Sequence, residues 1–210
     1  MPREPRRRNS LRRAPQQDRS RERFESIVET ASLVFAERGF EATTMVEIAA
    51  RAETSIGSLY RFFPHKLSLF TSIADRNIAR ARALHDAVFT HAALDRPWAE
   101  IIDAAIDAFR LLRRTDTGFR ATSLNLPHYG VYEKGEMALY DEFIRNADRV
   151  LFAKAPQLPP ATRRLIASTI TYVIAGILFF SDRQGPKMSN ALVEETKLLL
   201  RRYLAPYLDS

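Results

Sequence analysis

The stretch TSIGSLYRFFPHK, from Thr54 to Lys66, decides how the rest of the chain is interpreted. It predicts a helix of about two turns that ends at Phe62 or Phe63, because Pro64 lacks the backbone N–H that a continuing helix needs. Leu59 and Phe62 are three positions apart, share one helix face and would hold this helix against a core. The opposite face would then expose Ile56, Gly57, Tyr60 and Arg61. This pattern predicts a short helix that presents one face to another large molecule.

Two further helices are predicted before this stretch. Apolar residues from Phe24 to Phe35 recur at helical spacing, and Gly39 is placed to end that helix. Thr44 and Glu47 form a capping-box pattern, in which the threonine oxygen accepts from a backbone N–H and the glutamate reaches back. Three short helices joined by tight turns predict a helix-turn-helix DNA-binding domain at residues 21–66, whose last helix enters the major groove.

Each exposed residue of this domain has a chemical role in such a contact and a simpler alternative. Arg61 could donate twice to a guanine edge or be a solvated charge, and Ile56 could touch a thymine methyl or belong to the core. Tyr60 could donate to a phosphate or cover the edge of the domain, and Thr44 could be only a cap. The candidate DNA contacts are Thr44, Ser55, Ile56, Gly57, Ser58, Tyr60, Arg61 and Lys66.

The positive charge of the chain is concentrated at its N-terminus. The formal net charge is +7, and residues 1–23 contain nine arginines against three acidic residues. Residues 1–20 have few apolar side chains, so we expect a disordered basic arm. Two interpretations stay open: a solubilising tail, or an arm that lies on nucleic acid phosphates.

The remainder, residues 67–210, also has helical rather than strand periodicity, so the predicted fold class is all-α. Residues 115–135 are less regular because they contain Gly118, Pro127, Gly130 and Gly135. Helices are expected near 66–91, 98–112, 136–154, 161–182 and 189–207. We expect this part to form a ligand-binding and dimerisation domain, for two separate reasons.

Pairing is expected because one small helix-turn-helix unit contacts few base pairs, so specificity usually needs two half-sites about 34–36 Å apart. Helix 161–182 is apolar nearly all round and must be covered on more than one side, by a monomer core or by a second copy. The candidate dimer contacts are Ile170, Val173, Gly176, Ile177, Leu199 and Tyr203.

Ligand binding is expected because residues 98–180 combine many aromatic side chains with a few polar ones, as small-molecule pockets do. Ordinary core packing is the alternative for each aromatic residue, and the irregular segment 115–135 is the best place for a pocket mouth. The candidate ligand contacts are Phe109, Phe119, Asn125, His128, Tyr132, Phe143 and Tyr172.

The sequence argues against several other classes of protein. It has no cysteine, which fits a reducing cytoplasm and removes thiolate chemistry and disulfides. Its four histidines form no i, i+4 pair, and no phosphate-binding glycine loop or nucleophile elbow is present, so we expect no enzyme, metal or cofactor. Glu133, Glu136, Asp141 and Glu142 are interpreted as a solvated helix face. The apolar run 165–180 is shorter than a membrane span, so no membrane contact is expected.

Residues 24 to about 70 resemble the N-terminal domain of the tetracycline-repressor (TetR) family of bacterial transcription regulators. The matching residues are Ala31, Phe35, Gly39-Phe40, Thr43-Thr44, Ile48-Ala49, Ala52, Ser55 to Phe63, Lys66, Leu67 and Leu69. The resemblance implies a homodimer of about nine helices per chain that binds a palindromic double-stranded DNA operator and a small apolar or amphipathic ligand. It also implies repression that the ligand relieves by moving helix 66–91.

The chain departs from the family pattern at the turn before the predicted recognition helix. The family usually has glycine where this chain has Glu53, and an apolar residue where it has Thr54. A non-glycine residue in a left-handed turn costs about 1–2 kcal/mol, and a carboxylate near phosphates is unfavourable. The alternative is therefore a ligand-binding dimer whose helix-turn-helix has degenerated and meets a protein partner.

Overall fold

A computed structural model describes residues 14–124, 130 and 133–209 of the chain. All regular secondary structure within these residues is helical, as the all-α prediction requires, and it comprises nine α-helices and one 3₁₀ helix. The helices are α1 (Ala14–Ala42), α2 (Met45–Arg51), α3 (Ile56–Phe62), α4 (Lys66–Val88), the 3₁₀ helix (His91–Asp95), α5 (Trp98–Thr115), α6 (Thr117–Leu124), α7 (Glu133–Lys154), α8 (Pro160–Ser181) and α9 (Pro186–Leu208).

Helix α1 starts earlier than the sequence pattern indicates. Its first residue is Ala14, so the expectation of a disordered arm is wrong for residues 14–20, while residues 1–13 lie outside the described part. The long straight-chain side chains of Arg19, Glu22 and Arg23 favour a helix, and a helix already formed over the core extends at little cost. Near its other end, Gly39 has φ 79°, a left-handed value that glycine adopts without strain.

The helix-turn-helix core is built from buried apolar residues of α1 to α3 together with the start of α4. Phe35 stacks on Phe40 at a ring-centroid distance of 5.5 Å, and the ring of Phe70 meets both edge-on. Leu59 and Phe63 are buried beside them. Because Phe70 comes from α4, the first turns of that helix share the core of the DNA-binding domain.

Helix α6 lies inside the segment that the sequence indicated to be irregular. Asp116 begins it by accepting a hydrogen bond from the Gly118 backbone N–H at 2.8 Å. A Cβ atom at Gly118 would lie 2.3 Å from Asn77 Oδ1, so only glycine lets α6 pack this closely on α4. The glycine that counted against a helix is therefore required by the packing.

A second core joins α5, α7, α8 and α9. By length and composition α8 is the one helix, among those described, that could span a membrane, yet it packs against its neighbouring helices. The expected covering of α8 on more than one side is only partly met within one chain, because 28% of its most apolar window is buried. Leu165 and Phe180 are 67% and 61% exposed.

Candidate nucleic-acid interface and ligand pocket

The two helices of the helix-turn-helix start at side-chain caps. Thr44 Oγ1 accepts from the Glu47 backbone N–H at 3.2 Å, and Ser55 Oγ accepts from the Ser58 backbone N–H at 3.1 Å. The predicted reciprocal bond from Glu47 is absent from the helix start. Its carboxylate instead pairs with Arg38 at 3.0 Å and with Arg51 at 3.4 Å, because arginine is the stronger partner.

Helix α3 exposes the face that the sequence assigned to DNA. Leu59 is fully buried, whereas Ile56 is 39% and Tyr60 48% exposed. Arg61 is also exposed, with its guanidinium carbon 5.6 Å from the centre of the Phe62 ring. The core alternative for Ile56 is therefore wrong. Gly57 has open space around it, which leaves the backbone of this face accessible to a second molecule.

Lys66 has a different role from the one that its position suggested. Its ammonium donates to the carbonyl oxygens of Phe40 at 2.6 Å, Thr43 at 2.9 Å and Glu41 at 3.3 Å, and it lies 4.4 Å from the centre of the Phe40 ring. Three carbonyls use all three N–H donors of a lysine. Lys66 therefore ties the start of α4 to the α1–α2 connection, and we no longer assign it to a DNA phosphate.

The turn between α2 and α3 contains the departure noted in the sequence. Glu53 has φ 49°, the left-handed conformation that glycine adopts more easily, and its side chain is exposed. The turn still closes, since the Thr54 backbone N–H donates to the Ala49 carbonyl at 3.0 Å. Glu53 thus keeps the turn geometry and strains the backbone.

Replacing Glu53 by glycine is expected to raise the free energy of unfolding by about 0.5–1 kcal/mol, the relief of left-handed strain less the greater entropy of an unfolded glycine. The Glu53→Gln variant is the matched control, because it removes the charge and keeps the strain. Thermal unfolding should show stabilisation in Glu53→Gly alone. Equal stability of the two variants would contradict the assignment of strain.

A polar network connects the DNA-binding domain to the body of the protein. Arg76 of α4 pairs with Glu29 of α1 at 2.9 Å and donates to Ser32 Oγ at 2.8 Å. Thr117 of α6 donates to the other oxygen of Glu29 at 2.8 Å. One carboxylate of α1 therefore contacts both α4 and α6.

The body encloses a large apolar pocket between α4, α5, α7 and α8. Its empty space, including the open mouth, is about 1120 Å³. Phe109, Phe119 and Phe143 line it, as we expected, whereas Tyr172 lies outside its wall and is 47% exposed. Asn125, His128 and Tyr132 lie outside the described residues. A smaller pocket of about 490 Å³ adjoins it and shares Arg113, Phe119 and Glu136.

Most residues of the pocket wall were not predicted as ligand contacts. Among them are Trp98, His85, Tyr140 and Glu136. His85 follows Ala81 by four positions on α4, which puts both residues on one helix face, so its spacing was a usable signal. Nothing in the sequence indicated that Glu136 lines a pocket, because a glutamate on a helix usually faces water. The assignment of Glu136 to a solvated helix face is therefore wrong.

His85 forms part of the aromatic wall of the pocket. Its ring stacks on Phe143 with centroids 4.3 Å apart, lies 4.5 Å from Phe89, and contacts Asn146 Nδ2 through Nδ1 at 3.2 Å. Burial lowers the pKa of the His85 imidazole, although the nearby Asp86 opposes the shift. The imidazole is therefore neutral near pH 7 and acts as an aromatic surface.

The outer side of α8 and α9 carries exposed apolar residues. We call this surface the α8/α9 face, and it comprises the exposed Leu165, Tyr172, Phe180, Leu198 and Leu199 together with the half-buried Gly176. Leu199 is 52% exposed, and Val173, Ile177 and Tyr203 are half-buried at its edge. The prediction that Ile170 is a dimer contact is wrong. Ile170 is 5% exposed and lines the pocket, so its side chain faces the interior of the chain.

Two family models match the chain. The model described as bacterial regulatory proteins of the tetR family matches residues 27–73. The model described as a tetracyclin repressor-like C-terminal domain matches residues 97–204, which is more than half of the chain.

Individual proteins agree with these matches. The HTH-type transcriptional repressor KstR of Mycobacterium tuberculosis is 36% identical over 66 residues, which are 31% of this chain and 30% of that protein. The chain thus spans less than a third of this relative's length. A TetR-family regulator from Streptomyces coelicolor has a similar structure, with a TM-score of 0.64 and 24% identity over 89% of this chain and 99% of that one.

A third similar protein is AibR, solved in complex with isovaleryl coenzyme A and operator DNA. It has a TM-score of 0.60 and 16% identity over 85% of this chain and 97% of that one. At such identities the two structures show a shared fold. Together with the two model matches, they lead to one conclusion: the chain belongs to the TetR family of bacterial regulatory proteins.

Proposed function

We propose that this protein is a ligand-responsive transcriptional repressor that binds a palindromic operator as a homodimer and leaves it when a small molecule fills the body pocket. The observation that carries the proposal is the outward face of α3, where Ile56, Tyr60 and Arg61 stay exposed while Leu59 is buried. A helix held by its core and bare on one face fits the major groove.

The relatives support the same function. KstR is named a transcriptional repressor, and AibR was solved with both a small molecule and operator DNA. The alternative of a degenerate helix-turn-helix rested on Glu53, and the turn closes in spite of that residue. DNA is therefore the favoured partner of α3, and a cytoplasmic location is expected for such a regulator.

The route from pocket to DNA runs through α4 and α6. Helix α4 contributes Ala81 and His85 to the pocket wall and begins at Lys66, beside α3. Helix α6 contributes Phe119 to the wall and, through Thr117, contacts Glu29 of α1. A ligand that displaces either helix would change the separation of the two DNA-binding domains. A coupling of about 1–3 kcal/mol between ligand and operator suffices for regulation.

The two-fold arrangement that a palindrome requires is supported by the α8/α9 face. Large exposed apolar residues such as Leu165, Phe180 and Leu199 are unfavourable on a monomer surface when they are contiguous. A second copy would cover them, and Gly176, which has open space around it, would allow two α8 helices to approach closely. Catalysis has no part in this proposal.

The function is tested by the electrophoretic mobility of the duplex upstream of the protein's own gene over a series of salt concentrations. We expect sequence-specific binding that weakens steeply with salt, because phosphate contacts release counterions. Equal and weak binding to every duplex would favour the degenerate helix-turn-helix instead.

Arg61→Ala is expected to relax base preference by about 1–3 kcal/mol, which is the discrimination of one bidentate arginine–guanine contact. Arg145→Ala, at an exposed site on α7, removes the same charge outside the interface and serves as control. Binding to a library of operator variants measures the preference. An unchanged preference in Arg61→Ala would reject the role assigned to this residue.

A further inference from the structure

One oxygen of Glu136 is buried beside the pocket without a hydrogen-bond partner among the described residues. The residue lies in the first turn of α7 and lines both the large pocket and the smaller one beside it. Its Oε1 accepts from the Tyr140 hydroxyl at 2.9 Å, whereas Oε2 has no partner among the described residues. A buried acceptor that lacks a donor is costly, and most such atoms in proteins are satisfied.

The arginine of the described pocket wall does not balance the charge of Glu136. Arg113 lines the same two pockets, but its guanidinium already contacts Asp182 at 2.7 Å and Ser123 Oγ at 3.0 Å. The Arg113 charge is therefore compensated within the protein. Glu136 is therefore the one carboxylate in the described part of the pocket wall, and no arginine or lysine side chain is paired with it among the described residues.

The surroundings of this acceptor are aromatic. Phe109, Phe119, Tyr140 and Phe143 line the large pocket, and the rings of Phe109 and Phe143 meet edge-to-face with centroids 5.4 Å apart. Aromatic faces carry partial negative charge and attract a cation placed within about 6 Å. A carboxylate oxygen and aromatic rings together favour a cationic donor and disfavour an anion.

We propose that the pocket selects amphipathic amines, with the ammonium head donating to the Glu136 carboxylate and the hydrocarbon part in the apolar cavity. This inference rests on the proposed function, because it names the chemical class of the molecule that releases the operator. The class is defined by three features: a protonated nitrogen, at least one N–H donor, and an apolar body that packs against the aromatic side chains of the pocket.

The protein contains its own probe for this binding. Trp98 is the single tryptophan of the chain and lines the pocket, so its fluorescence reports ligands there. Titrations with decylamine, decanol and decanoate compare a cationic, a neutral and an anionic head group on similar hydrocarbon tails. We expect decylamine to bind at least about tenfold more tightly than decanoate, with decanol between them, since a hydrogen bond to a charged group contributes about 1.5–3 kcal/mol.

Glu136→Gln tests the residue itself. It keeps the shape and the bond to Tyr140 but removes the charge, so decylamine should bind about tenfold or more weakly while decanol binds within about threefold of wild type. Glu133→Gln is the control, because Glu133 is exposed in the same turn of α7. Circular dichroism checks that both variants fold.

Three outcomes would overturn the inference. They are tighter binding of decanoate than of decylamine, an unchanged amine affinity in Glu136→Gln, and failure of all three probes to alter Trp98 fluorescence. Operator binding measured alongside separates this inference from the proposed function. Specific operator binding without amine binding removes the amine proposal alone, and amine binding without operator binding removes the proposed function alone.

Discussion

The Leu199→Glu variant is expected to be a folded monomer that binds the operator at least about 100-fold more weakly than wild type. Leu199 is 52% exposed in one chain, so the substitution is tolerated within the fold. In the dimer it would bury a carboxylate from each copy without a partner, which costs about 3 kcal/mol or more. A single recognition helix then keeps only half of the operator contacts.

Light scattering after size-exclusion chromatography measures the mass, and fluorescence anisotropy measures operator affinity. The Leu111→Glu variant is the matched control, because Leu111 is 64% exposed on α5, outside the α8/α9 face. This control should remain dimeric. If Leu199→Glu also kept the mass of a dimer, the α8/α9 face would not be the interface.

Lys66→Met is expected to lower the free energy of unfolding by about 3 kcal/mol. The substitution preserves most of the hydrocarbon chain but leaves the carbonyl oxygens of Phe40, Glu41 and Thr43 without the ammonium donor, and hydrogen bonds to charged groups contribute about 1.5–3 kcal/mol each without being additive. Chemical denaturation measures the loss.

The exposed Lys134 on α7 provides the control, since Lys134→Met removes the same charge from a solvated site. At temperatures where Lys66→Met remains folded, its operator affinity and salt dependence should match those of wild type. A variant that is as stable as wild type, with an operator affinity that depends less on salt, would show that Lys66 contacts a DNA phosphate.

The DNA-binding domain could be predicted in detail because its determinants are local. Thr44 and Ser55 each cap a helix by accepting from the backbone N–H of the residue three positions later in the sequence. The spacing of Leu59 from Phe62 sets the buried side of α3. These features depend on helix geometry alone. The role of Lys66 was missed because its three carbonyl partners are 23 to 26 residues away in sequence.

The body was predicted only as a set of helices. Helix α8 is apolar nearly all round, so periodicity could not decide which residues face the pocket and which face a second copy. Packing places Ile170 inside and Leu165 outside. The α6 helix was missed for a similar reason, since the value of Gly118 lies in its contact with Asn77. Glu136 resembles any surface glutamate until the pocket around it is known.

The most direct measurement of the central claim is a footprint of the protein on the DNA upstream of its own gene, with and without a ligand that alters Trp98 fluorescence. The account predicts one protected region of two-fold symmetric sequence, with half-sites about 34–36 Å apart, that disappears when the ligand is added. Uniform protection of all sequences, or a specific footprint that no pocket ligand changes, would contradict it.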